Sequence, residues 1–210
     1  MLYLASRSPR RRWLLRRLGA PFRVVRSTYQ ETIRPHEPPA VNAKRNAAGK
    51  ARNAVVPTGS RGIVIGADTF LYFQRRIIGK PKTLAAARRL LRRLRGRSHW
   101  VYTGLCLREL STGRLRTSVV RTKVTFRQLT DAQLARLLPR MGPLDKAGGY
   151  ALQACLPRRC HVGSRVMARR RQADAGKLIA RLEGSRTNVI GLPLEQLRRE
   201  LARLAGHDCC

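Results

Sequence analysis

A carboxylate follows a strongly apolar run near the middle of the chain. The run covers residues 62–67 and reads G-I-V-I-G-A, and Asp68 and Thr69 come directly after it. Acids are scarce, with 11 Asp+Glu against 45 Lys+Arg. Because buried strands of α/β proteins end at the functional site, the run predicts Asp68 at a strand end. There it could bind a divalent cation or take a proton from an attacking water; capping of a turn is the other interpretation.

Two further segments carry side chains that suit phosphate. The segment S-R-S-P-R-R-R at residues 6–12 lies between a predicted strand and a predicted helix, and a helix N-terminus favours anions. Serine hydroxyls and arginine forks add directional donors to phosphate oxygens. Gly79-Lys80-Pro81 predicts a lysine fixed on a tight turn. Each segment also has a plainer interpretation. The first could be a capped helix with solvated arginines, and the second is a common tripeptide.

A glycine-containing segment, D-K-A-G-G-Y-A-L-Q at residues 145–153, is the fourth candidate. Its adjacent glycines let the backbone approach a ligand closely. Asp145 and Gln153 can hydrogen-bond a base, a sugar or a phosphate. The segment at residues 184–193, G-S-R-T-N-V-I-G-L-P, predicts a loop into the last helix that either closes the core or contacts ligand.

Several other kinds of site are excluded by their missing patterns. The sequence has neither a P-loop nor a G-x-G-x-x-G motif. Cys155-x4-Cys160-His161 lacks the second ligand pair of a usual zinc site. The remaining histidines have no serine or cysteine partner in a recognisable triad.

The composition indicates a globular protein with an extreme positive charge. With 210 residues and 43% hydrophobic residues, the chain can fill one core or two small lobes that share a cleft. The net charge of +34 attracts polyanions. Lysine accounts for only 7 of the basic residues, and arginine is spread along every segment. Two explanations stay open: an arginine-biased proteome and selection for nucleic-acid binding.

The expected location is the cytoplasm. The 5 cysteines suggest no disulfide framework, which favours a reducing compartment. No apolar stretch approaches the roughly 18 residues of a membrane span. The arginine-rich first 19 residues could imitate an organelle presequence, but they also fit a strand followed by a capped helix, which we prefer.

Hydrophobic periodicity places these segments on an α/β fold with a mixed sheet and flanking helices. Strands are predicted at residues 2–5, 22–25, 62–67 and 70–78, and a hairpin joins residues 99–110 to 115–129. Residues 26–39 read as a loop. Helices are predicted from Pro9 to Gly19, over residues 40–55, after Thr83, after Thr130 and from Pro193.

Taken in order, the motifs resemble the Maf family of nucleotide pyrophosphatases. Each motif is modest alone, but the ordered set spans nearly the whole chain and is highly specific. The matching segments are L-A-S-R-S-P-R-R at 4–11, A-A-G-K-A at 47–51, V-I-G-A-D-T at 64–69, G-K-P at 79–81, D-K-A-G-G-Y-A-L-Q at 145–153 and N-V-I-G-L-P-L at 188–194.

This resemblance implies a single domain over residues 1–210, in which two lobes surround a deep cleft, often as a homodimer. It implies hydrolysis of a nucleoside triphosphate to the monophosphate and pyrophosphate, with Asp68 as the proton acceptor. The residues around Asp68 and Asp145 resemble the branch that acts on dTTP and UTP. Carried over by position, substrate choice falls to Arg10, Thr69 and Gln153, and the other cleft positions are Ser8, Arg11, Glu31, Lys50, Lys80 and Asp145.

Charge balance suggests a divalent cation, Mg²⁺ or Mn²⁺, as the cofactor. A triphosphate brings about four negative charges, and its pyrophosphate leaves with more charge than it had as a bridge. Asp68 and Glu31 would hold the ion or orient the water. The basic side chains predicted to balance the remaining charge are Arg10, Arg11, Lys50 and Lys80.

One departure from the family pattern follows Gln153. Ala154 stands where the family normally has glycine, and residues 154–177 form a basic stretch that reads as an insertion. It could be a lid, a disordered excursion or a nucleic-acid contact. The alternative function is therefore a Maf-like scaffold that binds nucleic acid, without sequence specificity, or a protein partner through its basic surface.

Overall fold

The computed structural model describes residues 1–141 and 178–206. Strands and helices follow the predicted α/β order. The strands are β1 Leu2–Leu4, β2 Phe22–Val24, β3 Ile63–Phe73, β4 Arg76–Ile78, β5 Ser98–Glu109, β6 Leu115–Phe126 and β7 Ile179–Glu183. The helices are α1 Pro9–Arg16, α2 Pro39–Arg52, α3 Leu84–Leu94, α4 Asp131–Met141, α5 Arg186–Ile190 and α6 Leu194–Ala205.

All the strands join one mixed sheet, which confirms the predicted fold class. Their order is β2-β1-β3-β5-β6-β7, and β4 pairs with β3 outside this path. The first strand pairs in parallel with both β2 and β3, whereas β4 is antiparallel to β3 and β7 is antiparallel to β6. The contacts among the described residues divide them into two units. The first unit comprises residues 1–69, 102–121 and 185–206, and the second comprises residues 70–101, 122–141 and 178–184.

In the first unit, α2 packs very closely on β3 and β5 because small residues face each other. A Cβ on Gly66 would lie 2.2 Å from the main-chain oxygen of Ala47, and one on Gly104 would lie 2.0 Å from that of Ala43. Ala43, Ala47 and Ala51 are fully buried on the facing side of the helix. Any larger side chain at these glycines would push the helix away from the strands.

In the second unit, α3 packs against α4 through leucines at helical spacing. Leu91 and Leu94 of α3 and Leu134 of α4 are almost fully buried. Thr83 caps α3 by accepting from the main-chain N–H of Ala86. Gly96, in the left-handed region, follows the end of that helix. The predicted helices after Thr83 and Thr130 are therefore confirmed.

The break between the two predicted strands, at residues 68 and 69, was placed wrongly. The chain runs without a break through β3 and then turns at Gln74 and Arg75 into β4. Both turn residues have positive φ, 49° and 58°, as a two-residue type I′ hairpin requires. Glycine, asparagine or aspartate usually marks such a turn, and here none does. Arg93 stabilises it by donating to the Gln74 side-chain oxygen at 2.8 Å.

Asp68 therefore lies inside a strand and not at its end, which corrects the prediction. The sheet still opens at this point, because the pairing of β1 with β3 ends at Leu4 and Ile65. The next main-chain bond, from Ala5 N–H to Ile65 O, is the last link between the two segments before α1 begins. Asp68 sits three residues further along β3, on a stretch that β1 does not cover.

Two predicted loops also differ from the structure. Residues 184–193 contain the short helix α5, which Ser185 caps by accepting from Asn188 N–H; five residues are too few to show a helical period. Gly79-Lys80-Pro81 forms no turn. Proline disfavours the helical region for the residue before it, so Lys80 lies on irregular chain.

Several predictions lie outside the described residues. They are the substrate positions Asp145 and Gln153, the glycine pair between them, the cysteines and histidine at 155–161, and the basic stretch at 154–177. Within the described ranges, no helix has both the length and the apolar character to cross a membrane.

Candidate active site

Asp68 is a buried carboxylate whose two oxygens are both held by α2. Its Oδ1 accepts from Lys50 Nζ at 2.8 Å, and its Oδ2 accepts from Asn46 Nδ2 at 2.9 Å. Lys50 follows Asn46 by four residues, so both side chains leave the same face of the helix. The close packing at Gly66 brings this face up to β3. The carboxylate is thus fixed in position before any ligand arrives.

Lys50 lies between two carboxylates. Besides Asp68, its Nζ contacts Glu31 Oε1 at 2.6 Å and donates to the main-chain oxygen of Ala67 at 3.1 Å. The side chain of Lys50 is 10% exposed, whereas that of Glu31 is 52% exposed. The predicted loop at residues 26–39 therefore brings Glu31 to the site from the solvent side.

The environment of Asp68 keeps it ionised at neutral pH. Burial alone would raise the pKa of this carboxyl, but the ammonium of Lys50, the donor from Asn46 and the charge of Arg11 together lower it below the ordinary value. A group with a lowered pKa in the folded protein stabilises the fold above its unfolded pKa, and that contribution is lost as the pH falls through its folded pKa.

Arg11 reaches the site from α1 and is anchored through all three of its nitrogens. Nε donates to the main-chain oxygen of Gly191 at 2.7 Å, Nη1 to Ser6 Oγ at 3.3 Å and Nη2 to Thr69 Oγ1 at 3.1 Å. Burial lowers the pKa of Arg11, while Asp68 and Glu31 raise it. A guanidinium keeps its charge in proteins, and the N–H groups beyond these three bonds can bind an anion.

The hydroxyl of Thr69 has a fixed donor direction. Thr103 Oγ1 donates to the main-chain oxygen of Asn188 at 3.1 Å, so it must accept from Thr69 Oγ1 at 2.9 Å. Among the described residues, the other acceptor near the Thr69 proton is also main chain, Gly191 O at 3.5 Å. Because the proton points inward either way, Thr69 offers a lone pair, and no proton, to a ligand.

The start of α1 is built as the sequence predicts. Ser8 is the N-cap, its side chain accepts from Arg11 N–H at 3.5 Å, and Pro9 occupies the first helical position. Arg10 follows in the first turn and is partly buried. This helix end therefore places Ser8, Arg10 and Arg11 on one short segment directly after β1.

The structure brings together Asp68, Glu31, Lys50, Arg11 and Thr69 in the first unit. Ser8 and Arg10 lie at the start of the helix that carries Arg11. Lys80 is exposed and belongs to the second unit.

Sequence reasoning missed Asn46 and Thr103, which hold Asp68 and Thr69. A signal for Asn46 exists, because an asparagine four residues before Lys50 interrupts the small apolar face of α2. Thr103 lies in a hairpin strand and gives no such signal. Its role depends on segments that are far apart in sequence.

The two carboxylates of the site suit a metal ion that the substrate phosphates also bind. Within residues 1–141 and 178–206 there is no cluster of three or more His, Cys, Asp or Glu side chains that could hold a metal ion. Asp68 and Glu31 both contact Lys50, but each carboxylate oxygen has a second lone pair. Mg²⁺ typically binds one or two carboxylates together with waters and substrate phosphates, so this pair fits that mode.

Similarity to known proteins shows the family of this chain. A family model described as Maf-like protein matches residues 1–158, a range that contains every described site residue except Gly191 and Asn188. The chain belongs to the Maf family. The resemblance inferred from the ordered motifs is therefore confirmed.

Curated relatives of this Maf protein align over nearly its whole length. A dTTP/UTP pyrophosphatase of Moorella thermoacetica is 40% identical over 201 residues, which cover 96% of this chain and 93% of the relative. The protein of the same name from Pseudoalteromonas atlantica is 34% identical over 213 residues and covers 100% of both chains. Another from Gloeobacter violaceus is 39% identical over 196 residues, 93% of this chain and 92% of the relative.

Proposed function

We propose that this Maf protein hydrolyses nucleoside triphosphates, with dTTP and UTP as its preferred substrates, to the monophosphate and pyrophosphate. The observation that carries the proposal is the fixed, ionised carboxylate of Asp68 beside the cations Lys50 and Arg11. The names of the aligned relatives support the choice of substrate. The scaffold alternative is not favoured, because binding of a polyanion gives no reason to bury a carboxylate.

In this reaction a water attacks the α-phosphorus and pyrophosphate leaves. Asp68 orients the water and accepts its proton. Since its pKa is lowered, Asp68 is present as the carboxylate throughout the neutral range but is a weak base. A weak base suffices if phosphoryl transfer follows a loose transition state, in which positioning and charge stabilisation contribute most.

The charge of the departing pyrophosphate is balanced by the cationic side chains. Arg11 and Lys50 are in place in the first unit, and Arg10 lies at the N-terminus of α1, which favours anions. We assign the same task to Lys80, and contacts with substrate to Ser8 and Asp145. A divalent ion, Mg²⁺ or Mn²⁺, held by Asp68 and Glu31 would supply further neutralisation of the phosphate oxygens.

The inward hydroxyl proton of Thr69 supports a choice among bases. Its outward lone pair can accept from the ring N–H of uracil or thymine, whereas the matching nitrogen of cytosine is itself an acceptor. Guanine also carries a ring N–H, so this contact alone does not separate pyrimidines from purines. Arg10 and Gln153 are the other positions assigned to that choice.

The test is pyrophosphate release from dTTP, UTP, dCTP, CTP, ATP and GTP, each with Mg²⁺ and with Mn²⁺. We expect dTTP and UTP to give the highest kcat/KM, and chelation of the metal to stop turnover. Equal rates on cytosine nucleotides would contradict the base assignment. The absence of turnover on every triphosphate would overturn the enzyme proposal.

We also propose that the protein forms a homodimer, lies in the cytoplasm and binds nucleic acid weakly without sequence preference. The last follows from the net charge of +34. Binding through that charge would weaken steeply as salt rises.

A further inference from the structure

A buried amide joins the active carboxylate to the loop that carries Glu31. Asn46 on α2 is fully buried. Its Nδ2 donates to Asp68 Oδ2 at 2.9 Å, while its Oδ1 accepts from the Thr32 main-chain N–H at 3.2 Å and from the Tyr29 hydroxyl at 3.1 Å. Thr32 and Tyr29 flank Glu31 in sequence. One side chain therefore contacts both the carboxylate and the segment that brings the second carboxylate.

The chemistry of the partners fixes the orientation of this amide. The main-chain N–H of Thr32 can only donate, so the atom that faces it must be the amide oxygen. The amide nitrogen then faces Asp68, and it can only donate. A flipped amide would set an oxygen against the carboxylate and an NH₂ group against an N–H. Asn46 can satisfy these partners in one orientation only, and that orientation requires Asp68 to accept.

The loop is seated on the same face of α2 by independent contacts. Gly49, three residues after Asn46, has no side chain, and a Cβ there would lie 2.3 Å from the Tyr29 ring. The ring therefore packs directly on the helix. Asn42, four residues before Asn46, accepts from Arg34 N–H at 2.8 Å and donates to Arg34 O at 3.0 Å. The loop is thus held on both sides of Glu31.

We propose that Asn46 is a positioning residue that seats the Glu31 loop on α2 and, through the same amide, holds Asp68 in place for the reaction. The two tasks are coupled. With the loop seated, two donors on Oδ1 polarise the amide and strengthen its bond to Asp68. With the loop displaced, the amide loses the partners that orient it, and Asp68 keeps Lys50 as its remaining side-chain donor on α2.

The effect on the reaction rests on the proposed hydrolysis, but the coupling itself can be measured without turnover. The first readout is the titration midpoint of the Asp68 carboxyl carbon by NMR, measured without divalent cations. The second is the pH profile of kcat/KM for UTP, together with separate values of kcat and KM. The variants are Asn46→Leu, which removes the amide; Asn46→Asp, which keeps its shape; Tyr29→Phe, which removes one donor; and Asn53→Leu as the control.

We expect Asn46→Leu to raise the Asp68 midpoint by about one pH unit, because a hydrogen bond to the charged form is lost. The acid limb of the kcat/KM profile should move in the same direction, kcat should fall and KM should rise. Asn46→Asp should raise the midpoint further, since two adjacent carboxylates resist joint ionisation. This near-isosteric variant keeps the test decisive if Asn46→Leu does not fold.

Coupling is read from a double-mutant cycle. Tyr29→Phe should raise the Asp68 midpoint by a few tenths of a pH unit in the wild type and by nothing in Asn46→Leu. Asn53→Leu alters the C-cap of α2, where Asn53 donates to Gly49 O at 2.9 Å, and should leave the midpoint unchanged.

An unchanged midpoint in Asn46→Leu and Asn46→Asp would overturn the positioning role, whatever the activity. Equal effects of Tyr29→Phe in both backgrounds would overturn the coupling. If the wild type turns over no triphosphate while the midpoints shift as expected, the proposed reaction fails and the positioning role stands.

Discussion

Two aspartates of this protein each lie between cations, but their settings differ. Asp68 in the first unit is buried, and its oxygens are held by Lys50 and Asn46. Asp131 in the second unit starts α4 with its side chain 49% exposed, and it accepts from Arg92 at 3.1 and 2.8 Å and from Arg95 at 2.9 Å. The exposed aspartate even has more charged partners.

Both carboxyls have a lowered pKa, for different reasons. For Asp68 the largest influence is burial, which acts upward and is outweighed by Lys50, Asn46 and Arg11. For Asp131 the largest influence is the hydrogen bond from Arg92. Water screens the exposed cluster, so its ion pairs contribute little. A lowered pKa therefore does not by itself identify a site; what distinguishes Asp68 is that its partners keep it ionised against the effect of burial.

Of the substitutions that compare the two aspartates, Lys50→Met is expected to have the largest effect on stability and activity. Loss of the ammonium leaves Asp68 buried without its main counter-charge, and breaking such a pair costs about 3 kcal/mol of folding free energy. Turnover of UTP should also fall strongly. The measurement is urea unfolding beside Lys44→Met, which removes the same charge from an exposed position of the same helix.

The loss of stability in Lys50→Met should depend on pH in a definite direction. In the wild type the pKa of Asp68 is lowered, so stability from the pair is lost as the pH falls through that value. In Lys50→Met the pKa of Asp68 should rise, and protonation then relieves the penalty at low pH. The gap in unfolding free energy between wild type and variant should therefore be smaller at pH 5 than at pH 7.5. A constant gap would show that the pair is not the cause.

A smaller effect is expected from Thr103→Val, which tests the direction of the Thr69 proton. Without its acceptor at Thr103, the Thr69 proton keeps only the distant inward acceptor Gly191 O at 3.5 Å among the described residues, a contact too long for a strong hydrogen bond, so the hydroxyl can turn toward the ligand and donate. The preference for UTP over CTP should then fall about tenfold, the worth of one hydrogen bond. Thr125→Val, which breaks the exposed hydroxyl pair with Ser98, is the matched control. An unchanged preference would show that the bond to Thr103 does not set the base preference.

The smallest effect is expected at the exposed cluster. Arg92→Met should change neither kcat nor KM and should alter stability slightly, with the difference vanishing at high salt. Thermal unfolding at low and high salt, with UTP turnover alongside, checks this. A loss of activity comparable to that of Lys50→Met would erase the distinction between the two aspartates.

Local patterns predicted the parts of the site that lie on single segments. Ser8-Pro9 predicts the start of α1, and the apolar run predicts β3. The strand pattern over residues 99–129 predicts the β5–β6 hairpin. The resemblance supplied roles for Arg11, Glu31 and Lys50, whose types alone said little. These residues could be named because each stands in a motif.

The other features of the fold and the site depend on contacts between distant segments, which no local pattern predicts. Gln74 and Arg75 adopt positive φ without glycine, so the β3–β4 turn was invisible and Asp68 was placed at a strand end. The relay from Thr69 through Thr103 to Asn188 O joins residues 34 and 85 positions apart. Asn46 could have been questioned as a polar residue on an apolar face, but its partners come from two other segments.

The most direct test of the account is pyrophosphate release from UTP by Asp68→Asn beside Asp131→Asn. Both substitutions keep shape and remove one charge. We expect Asp68→Asn to lower kcat by about 10²-fold or more, the usual contribution of a proton acceptor, with its fold intact by circular dichroism, while Asp131→Asn retains full activity. Equal activity of the two variants, at or near the wild-type rate, would contradict the assignment of Asp68 as the group that activates water.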